Sequence, residues 1–182
     1  KLDRVIRQRE TPKRLDVRRV KTKLIGSNRL ALTAVYQTAK KLGLYPTILT
    51  ASMHGEASVV AKQLVRLAER VKRKPALLLA GGETTVTVRG TGYGGGNQEL
   101  ALAALHYLKP GMSLLTLATD GVDGFTPTPV AGAVVRYGQW SPSLQAYLSN
   151  NDSYTALGKL KALYQTGPTG TNVGDIVMIL VT

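Results

Sequence analysis

The sequence predicts an α/β protein, a layered sheet of mostly parallel strands with flanking helices. Two observations predict it. Helical and strand-like patterns alternate from residue 27 to residue 80, as they do where helices cover a sheet. Short, wholly apolar runs at 76–80 and 113–118 read as strands buried on both faces. The bulk composition agrees: 43% of the 182 residues are hydrophobic, as a packed core requires.

The elements follow in order. Residues 1–24 form a basic leader, with ten Lys or Arg against three acids and no regular periodicity. Ser27 is suited to cap a helix that runs to Leu42 and stops at Gly43, since its hydroxyl can accept from a free N–H of the first turn. Leu32, Val35, Ala39 and Leu42 make its inner stripe. A strand over 45–50 follows, then a helix over 56–72 with Val60, Leu64, Leu67 and Val71 inward. Pro75 ends that segment and the strand 76–80 begins. Residues 84–89 alternate, with Val86 and Val88 on one face, and predict a half-exposed strand. A helix over 97–108, with Asn97 as its cap, presents Leu100, Ala104, Leu105 and Leu108 to the core. The strand 113–118 leads into a long loop, 119–131, of a length that compact domains usually reserve for function. Short helices near 143–150 and 153–164 precede a last strand over 176–181.

Composition narrows the chemistry. Cysteine is absent, which removes disulfides and thiol catalysis. The two histidines, His54 and His106, are too far apart in sequence to suggest a zinc site. No apolar run is long enough to span a bilayer, and no signal peptide opens the chain, so the expectation is a cytoplasmic protein without a membrane partner. The net charge of +13 suits phosphate-rich nucleic acid or small anionic metabolites. The basic leader has no aromatic residue for base stacking, so the metabolite is favoured over nucleic acid.

The candidate site residues sit in glycine-rich loops. In Gly94-Gly95-Gly96-Asn97 a flexible loop runs into a helix start, an arrangement that aims free N–H groups at a phosphate or carboxylate. The same residues also suit the end of a mobile hairpin. Ser27, Asn28 and Arg29 stand in the same relation to the first helix. Asp120 and Asp123, in Asp-Gly-Val-Asp-Gly, are either paired carboxylates able to hold Mg²⁺ or residues of tight turns. Thr169, Thr171 and Asn172 offer hydroxyl and amide groups beside Gly167 and Gly170. Glu83 and Glu99 orient a bound partner or form surface ion pairs. Loops that follow apolar strands can converge beyond the carboxyl ends of a sheet.

Several segments together resemble one family. Residues 80–99 carry Gly-Gly-Glu-Thr-Thr-Val, then Gly-Gly-Gly-Asn-Gln-Glu. Ile25-Gly26-Ser27-Asn28-Arg29, Thr119-Asp120-Gly121-Val122-Asp123-Gly124 with Ala131-Gly132-Ala133-Val134, and Asn151-Asp152-Ser153-Tyr154 with 166–173 match in the same order. This pattern resembles the glycerate kinases that end in the small MOFRL domain, some of which carry the name hydroxypyruvate reductase. The resemblance divides the chain into the leader 1–24, an α-β-α segment 25–75 like the end of the family's N-terminal α/β domain, and a MOFRL-like domain over 76–182. It implies ATP-dependent phosphorylation of glycerate to 2-phosphoglycerate, with ATP and Mg²⁺. It makes Asp120 and Asp123 catalytic or metal-holding. It makes Gly94, Gly95, Gly96, Asn97, Ser27, Asn28 and Arg29 anion-binding, and Glu83, Glu99, Thr169, Thr171 and Asn172 substrate-binding. Gly96 stands where the family has Arg, and most of the family's N-terminal domain has no counterpart here. The expectation is therefore a chain incomplete or inactive alone, completed by a separate N-terminal half or a homo-oligomer. Its alternatives are a noncatalytic binding or regulatory module for small phosphorylated metabolites and a basic nucleic-acid-binding protein.

Overall fold

A computed structural model describes residue 18 and residues 20–182; the expectation of a basic leader falls for the most part outside the described residues. One six-stranded sheet organises the rest. Its strands are β1 (Tyr45–Met53), β2 (Ala76–Gly82), β3 (Met112–Ala118), β4 (Gly132–Arg136), β5 (Leu163–Tyr164) and β6 (Asp175–Val181). Their spatial order is β1-β2-β6-β3-β4-β5. The helices are α1 (Asn28–Lys41), α2 (Ala57–Glu69), α3 (Gly96–Leu105), α4 (Leu144–Ser149) and α5 (Ser153–Lys159).

The α/β class with one helix-flanked sheet is as expected, but the strand pairing is not mostly parallel. Only β1 and β2 pair in parallel, and the other four neighbouring pairs are antiparallel. The reason is the placement of β6. The last strand inserts between β2 and β3 and runs against both. Apolar runs report burial on two faces, not direction. The sheet also crosses the boundary expected at residue 75, because β1 of the α-β-α segment pairs with β2 along its length.

The helices cover the two faces unequally. Leu32 and Ala39 of α1 pack on Leu77, Leu79 and Ile176. On the opposite face, α2, α3 and α5 enclose Leu78, Ala80, Leu114, Val177 and Ile179. β2 is therefore buried on both faces. Helix α3 lies deepest, and every residue from Asn97 to Leu105 is buried. A helix buried all round carries polar residues only if they are satisfied, which bears directly on Asn97, Gln98 and Glu99.

Other expectations need local correction. Residues 84–89 form no strand; Thr85 makes one isolated bridge to Glu56, and the carboxylate of Glu56 accepts from the Thr87 N–H and hydroxyl. Side chains, not a ladder, hold that segment. Leu42 and Leu67 are exposed; Leu42 lies just past the end of α1, as its C-cap. The cap of α3 is Gly95, one residue before the helix, and Asn97 lies within its first turn. β4 follows the expected loop in a stretch to which no element was assigned, and β5 lies where a helix end was expected. Ser27 does cap α1, accepting from Leu30 N–H at 3.2 Å.

Candidate functional site

The insertion of β6 builds the site. Asp175, its first residue, pairs with Gly82 at the end of β2 and with Ala118 at the end of β3. The carboxyl ends of two strands and the amino end of a third thus meet at one edge of the sheet. Ligand sites in α/β sheets lie beyond such strand ends. A cavity of about 270 Å³ opens there, lined among others by Glu83, Gly96, Asp120, Asp123, Asn172 and Asp175.

Three loops are tied together at this cavity. Asp120 accepts from Val122 N–H through Oδ1 at 3.0 Å and from Asn172 Nδ2 through Oδ2 at 3.0 Å. Thr119 Oγ1 donates to the Gly174 carbonyl at 2.8 Å and accepts from Val173 N–H at 2.9 Å. Thr169 donates its hydroxyl to the Thr119 and Thr171 carbonyls. Asn172 Oδ1 accepts from Gly174 N–H at 2.9 Å. The 119–124 and 166–174 loops therefore hold each other in register.

The third loop meets them through Asp123. Its Oδ1 accepts from the backbone N–H of Asn97 at 3.0 Å, and its Oδ2 from that of Gln98 at 2.8 Å. The Asn97 and Gln98 side-chain amides donate to the same carboxylate. The acceptor at the start of α3 is the protein's own Asp123 carboxyl. This satisfies two of the free N–H groups that open a helix. Burial pushes the Asp123 carboxyl above its usual range, while hydrogen bonds from Asn97 and Gln98 oppose that shift. Gly95 makes the approach feasible: a Cβ there would lie 2.5 Å from the Asp123 Cγ. Gly94 and Phe125 lock the two loops by a reciprocal pair of backbone hydrogen bonds.

Sequence reasoning missed Asp175. Burial raises its carboxyl to about 6; Asn97 pulls it down, and Asp123, Glu83 and Asp120 push it further up. Four carboxylates thus line the cavity, and no Lys or Arg does among the described residues. The only signal in the sequence was a polar residue placed directly before the apolar run 176–181.

The remaining candidates disperse. Asn28 donates through Nδ2 to the carbonyls of Val173 at 3.1 Å and Asp175 at 2.8 Å; it fixes the start of β6 from α1. Ser27 is occupied as the cap of α1. Arg29 is exposed and does not line the cavity, nor do Thr169 and Thr171. Glu99 is buried and lines a different cavity, between α2, α3 and α4. The structure thus separates Glu83 from Glu99, which the sequence paired.

Comparison with known proteins turns on the segment that forms most of this site. The sequence profile of the MOFRL family matches residues 76–175. The chain belongs to the MOFRL family. The D-glycerate 2-kinase of Thermotoga maritima is 42% identical over 187 aligned residues, which cover 94% of this chain and 44% of that protein. The glycerate 2-kinase of Pyrococcus horikoshii is 37% identical over 92% of this chain and 41% of its own length. The crystal structure of glycerate kinase from Thermotoga maritima matches with a TM-score of 0.84 and 40% identity, over 96% of this chain and 44% of that one. This MOFRL-family chain spans less than half the length of these relatives.

Proposed function

We propose that this chain supplies the C-terminal part of a glycerate kinase-like phosphotransferase, and that the cavity at the start of β6 forms one wall of its active cleft. The observation that carries the reading is the convergence of loops 94–97, 119–124 and 166–175 on one cavity at the carboxyl ends of β2 and β3.

The described residues do not hold ATP or Mg²⁺ by themselves. No Lys or Arg among them lines the cavity to meet a triphosphate. Asp123 already occupies the helix N-terminus where a phosphate would bind. Both oxygens of Asp120 have donors, and among the described residues no three acidic, His or Cys groups are placed to ligate a metal. The same acceptor-rich wall suits hydroxyl groups of a small substrate. Asp175, with a carboxyl near 6, is suited to take a proton from such a hydroxyl close to neutral pH. Phosphate charge needs cations beyond the described lining of this cavity, because phosphoryl transfer depends on positioning and charge compensation. Gly96 lines the cavity without a side chain and contributes neither. A phosphorylated metabolite bound by this wall alone fits poorly, for the same electrostatic reason.

The test is complementation. The purified chain is assayed with ATP, Mg²⁺ and D-glycerate, alone and with the N-terminal half of the Thermotoga maritima enzyme. The expected result is 2-phosphoglycerate only in the mixture, with Asp175→Asn reducing it by about a hundredfold. Turnover by the chain alone, or a fully active Asp175→Asn mixture, overturns the assignment of roles.

A further inference from the structure

A second cavity, of about 670 Å³, lies between α2, α3 and α4 and is closed on one side by residues 87–89. Glu99 projects from α3 into its wall and is only 6% exposed. Among the described residues its carboxylate has no hydrogen-bond or ion-pair partner. Its oxygens are not among the fully buried, unpartnered side-chain atoms, so they open onto the cavity, where a charged partner offsets the cost of partial desolvation. Glu56 adds a second carboxylate to the same wall. Its oxygens are fixed by Thr87, so it does not turn away.

We propose that this cavity binds the ammonium group of a small organic amine, with the Glu99 carboxylate as its direct partner and Glu56 as the second negative charge. A bare metal ion fits poorly. The volume is that of a small-molecule pocket, and no three metal-ligating side chains gather among the described residues. An N–H donor fits better beside two carboxylates, and the lining adds acceptors in the hydroxyls of Ser58, Thr87 and Ser149 and the amide oxygen of Gln145. The inference goes beyond the kinase reading and does not depend on it, since the two carboxylates and the acceptors it uses all belong to this chain.

Its electrostatics fix a pH dependence. Burial, and then the charge of Glu56, raise the Glu99 carboxyl to about 7. Arg89 from the 87–89 segment and His106, the residue that follows α3, also face the cavity, and α4 contributes only the uncharged Gln145, Leu148 and Ser149. Lys62 of α2 lies 5.5 Å from the ring centroid of Tyr107, beside the cavity. An ammonium ion binds the ionised carboxylate, so affinity rises with pH through neutrality while the amine itself stays protonated.

The chain carries its own reporter. Trp140, its single tryptophan, stacks edge-on against the cavity residue His106 with ring centroids 4.7 Å apart. Butylammonium chloride is titrated against the intact chain while Trp140 fluorescence is followed, with butan-1-ol as the uncharged control. Saturable change with butylammonium alone is expected at millimolar concentration. The dissociation constant should be about tenfold weaker near pH 6 than near pH 8. E99Q, its fold checked by circular dichroism, should weaken binding at least about tenfold and abolish the pH dependence. An equal response to butanol, a flat pH profile in the wild type, or unchanged affinity in E99Q overturns the proposal. If E99Q fails to fold, the butanol and pH comparisons on the wild type decide alone.

Discussion

Asp123 shows how one side chain can answer a question that the backbone raises. Helix α3 opens on three glycines and has no capping side chain of its own, so its first N–H groups need an acceptor in a buried place. Asp123 supplies both oxygens. Asp123→Ala should therefore cost about 2–4 kcal/mol in urea unfolding, since it strands buried donors on Asn97 and Gln98. Gly95→Ala should act in the same direction, because its new methyl would lie 2.5 Å from the Asp123 Cγ. Wild-type stability in the alanine variants would show that α3 does not need this acceptor. Glu99 behaves in the opposite sense, as a buried carboxyl without donors. Its carboxyl stands at about 7 in the folded chain against 4.5 as the ordinary value. The folded state therefore holds the proton more tightly than the unfolded state. Its contribution is most favourable at low pH and is lost as pH rises from about 4.5 to 7. Glu99→Gln should leave stability unchanged near pH 4 and raise it by up to about 3 kcal/mol near pH 8. Thermal midpoints at the two pH values check this, and a gain at low pH alone would contradict the sign.

At the level of elements, legibility followed the range of the signal. The cap and stripe of α1 are local, and Ser27, Leu32 and Ala39 take the expected places. The runs that became β2, β3 and β6 were equally plain. Their order and direction were not, because the insertion of β6 is a pairing between residues far apart in sequence. The site suffered the same loss. Asp120, Asp123 and the 94–97 loop were readable as neighbours through their motifs, but Asp175 acquires its place only when β6 lies between β2 and β3. The 84–89 segment misled for a different reason. Its alternation is real, yet it is held by Glu56 at one end and Asn151 at the other. Asn151 sits at φ 52°, a left-handed conformation that Asn tolerates. Its Oδ1 accepts from Arg89 N–H at 2.7 Å and Gly90 N–H at 3.0 Å. Asn151→Ala should therefore release this latch. Amide hydrogen exchange at Arg89 and Gly90 should speed up by about tenfold or more, with little change in the β3 ladder. Asn151→Asp keeps the acceptor and should lie between the two. Unchanged exchange in the alanine variant would mean that the loop is fixed by other contacts.

For the whole molecule, the sign of the charge at the candidate site is opposite to that of the chain. The chain carries a net +13, yet its candidate site is walled by four carboxylates and no cation among the described residues. The proposed kinase reading accordingly assigns phosphate compensation to groups other than the described lining of this cavity. The neighbouring surface is apolar and rigidly presented. Phe125 is 80% exposed and pairs with Tyr93 at a centroid distance of 5.8 Å. Its backbone is pinned to Gly94 by two hydrogen bonds, which places it beside the cavity residue Gly124. An exposed aromatic held in a fixed pose gains little for the isolated fold but much for an interface, where burying it is worth about 1.5–3 kcal/mol. Phe125→Ser should therefore leave the thermal midpoint of the isolated chain within about 2 °C of wild type. In the complementation assay it should raise the concentration of N-terminal half needed for half-maximal activity by about ten- to a hundredfold. Maximal activity at saturating half should fall much less, because Phe125 does not line the cavity. A Phe125→Ser chain that complements at the wild-type concentration would place the docking surface elsewhere on the molecule.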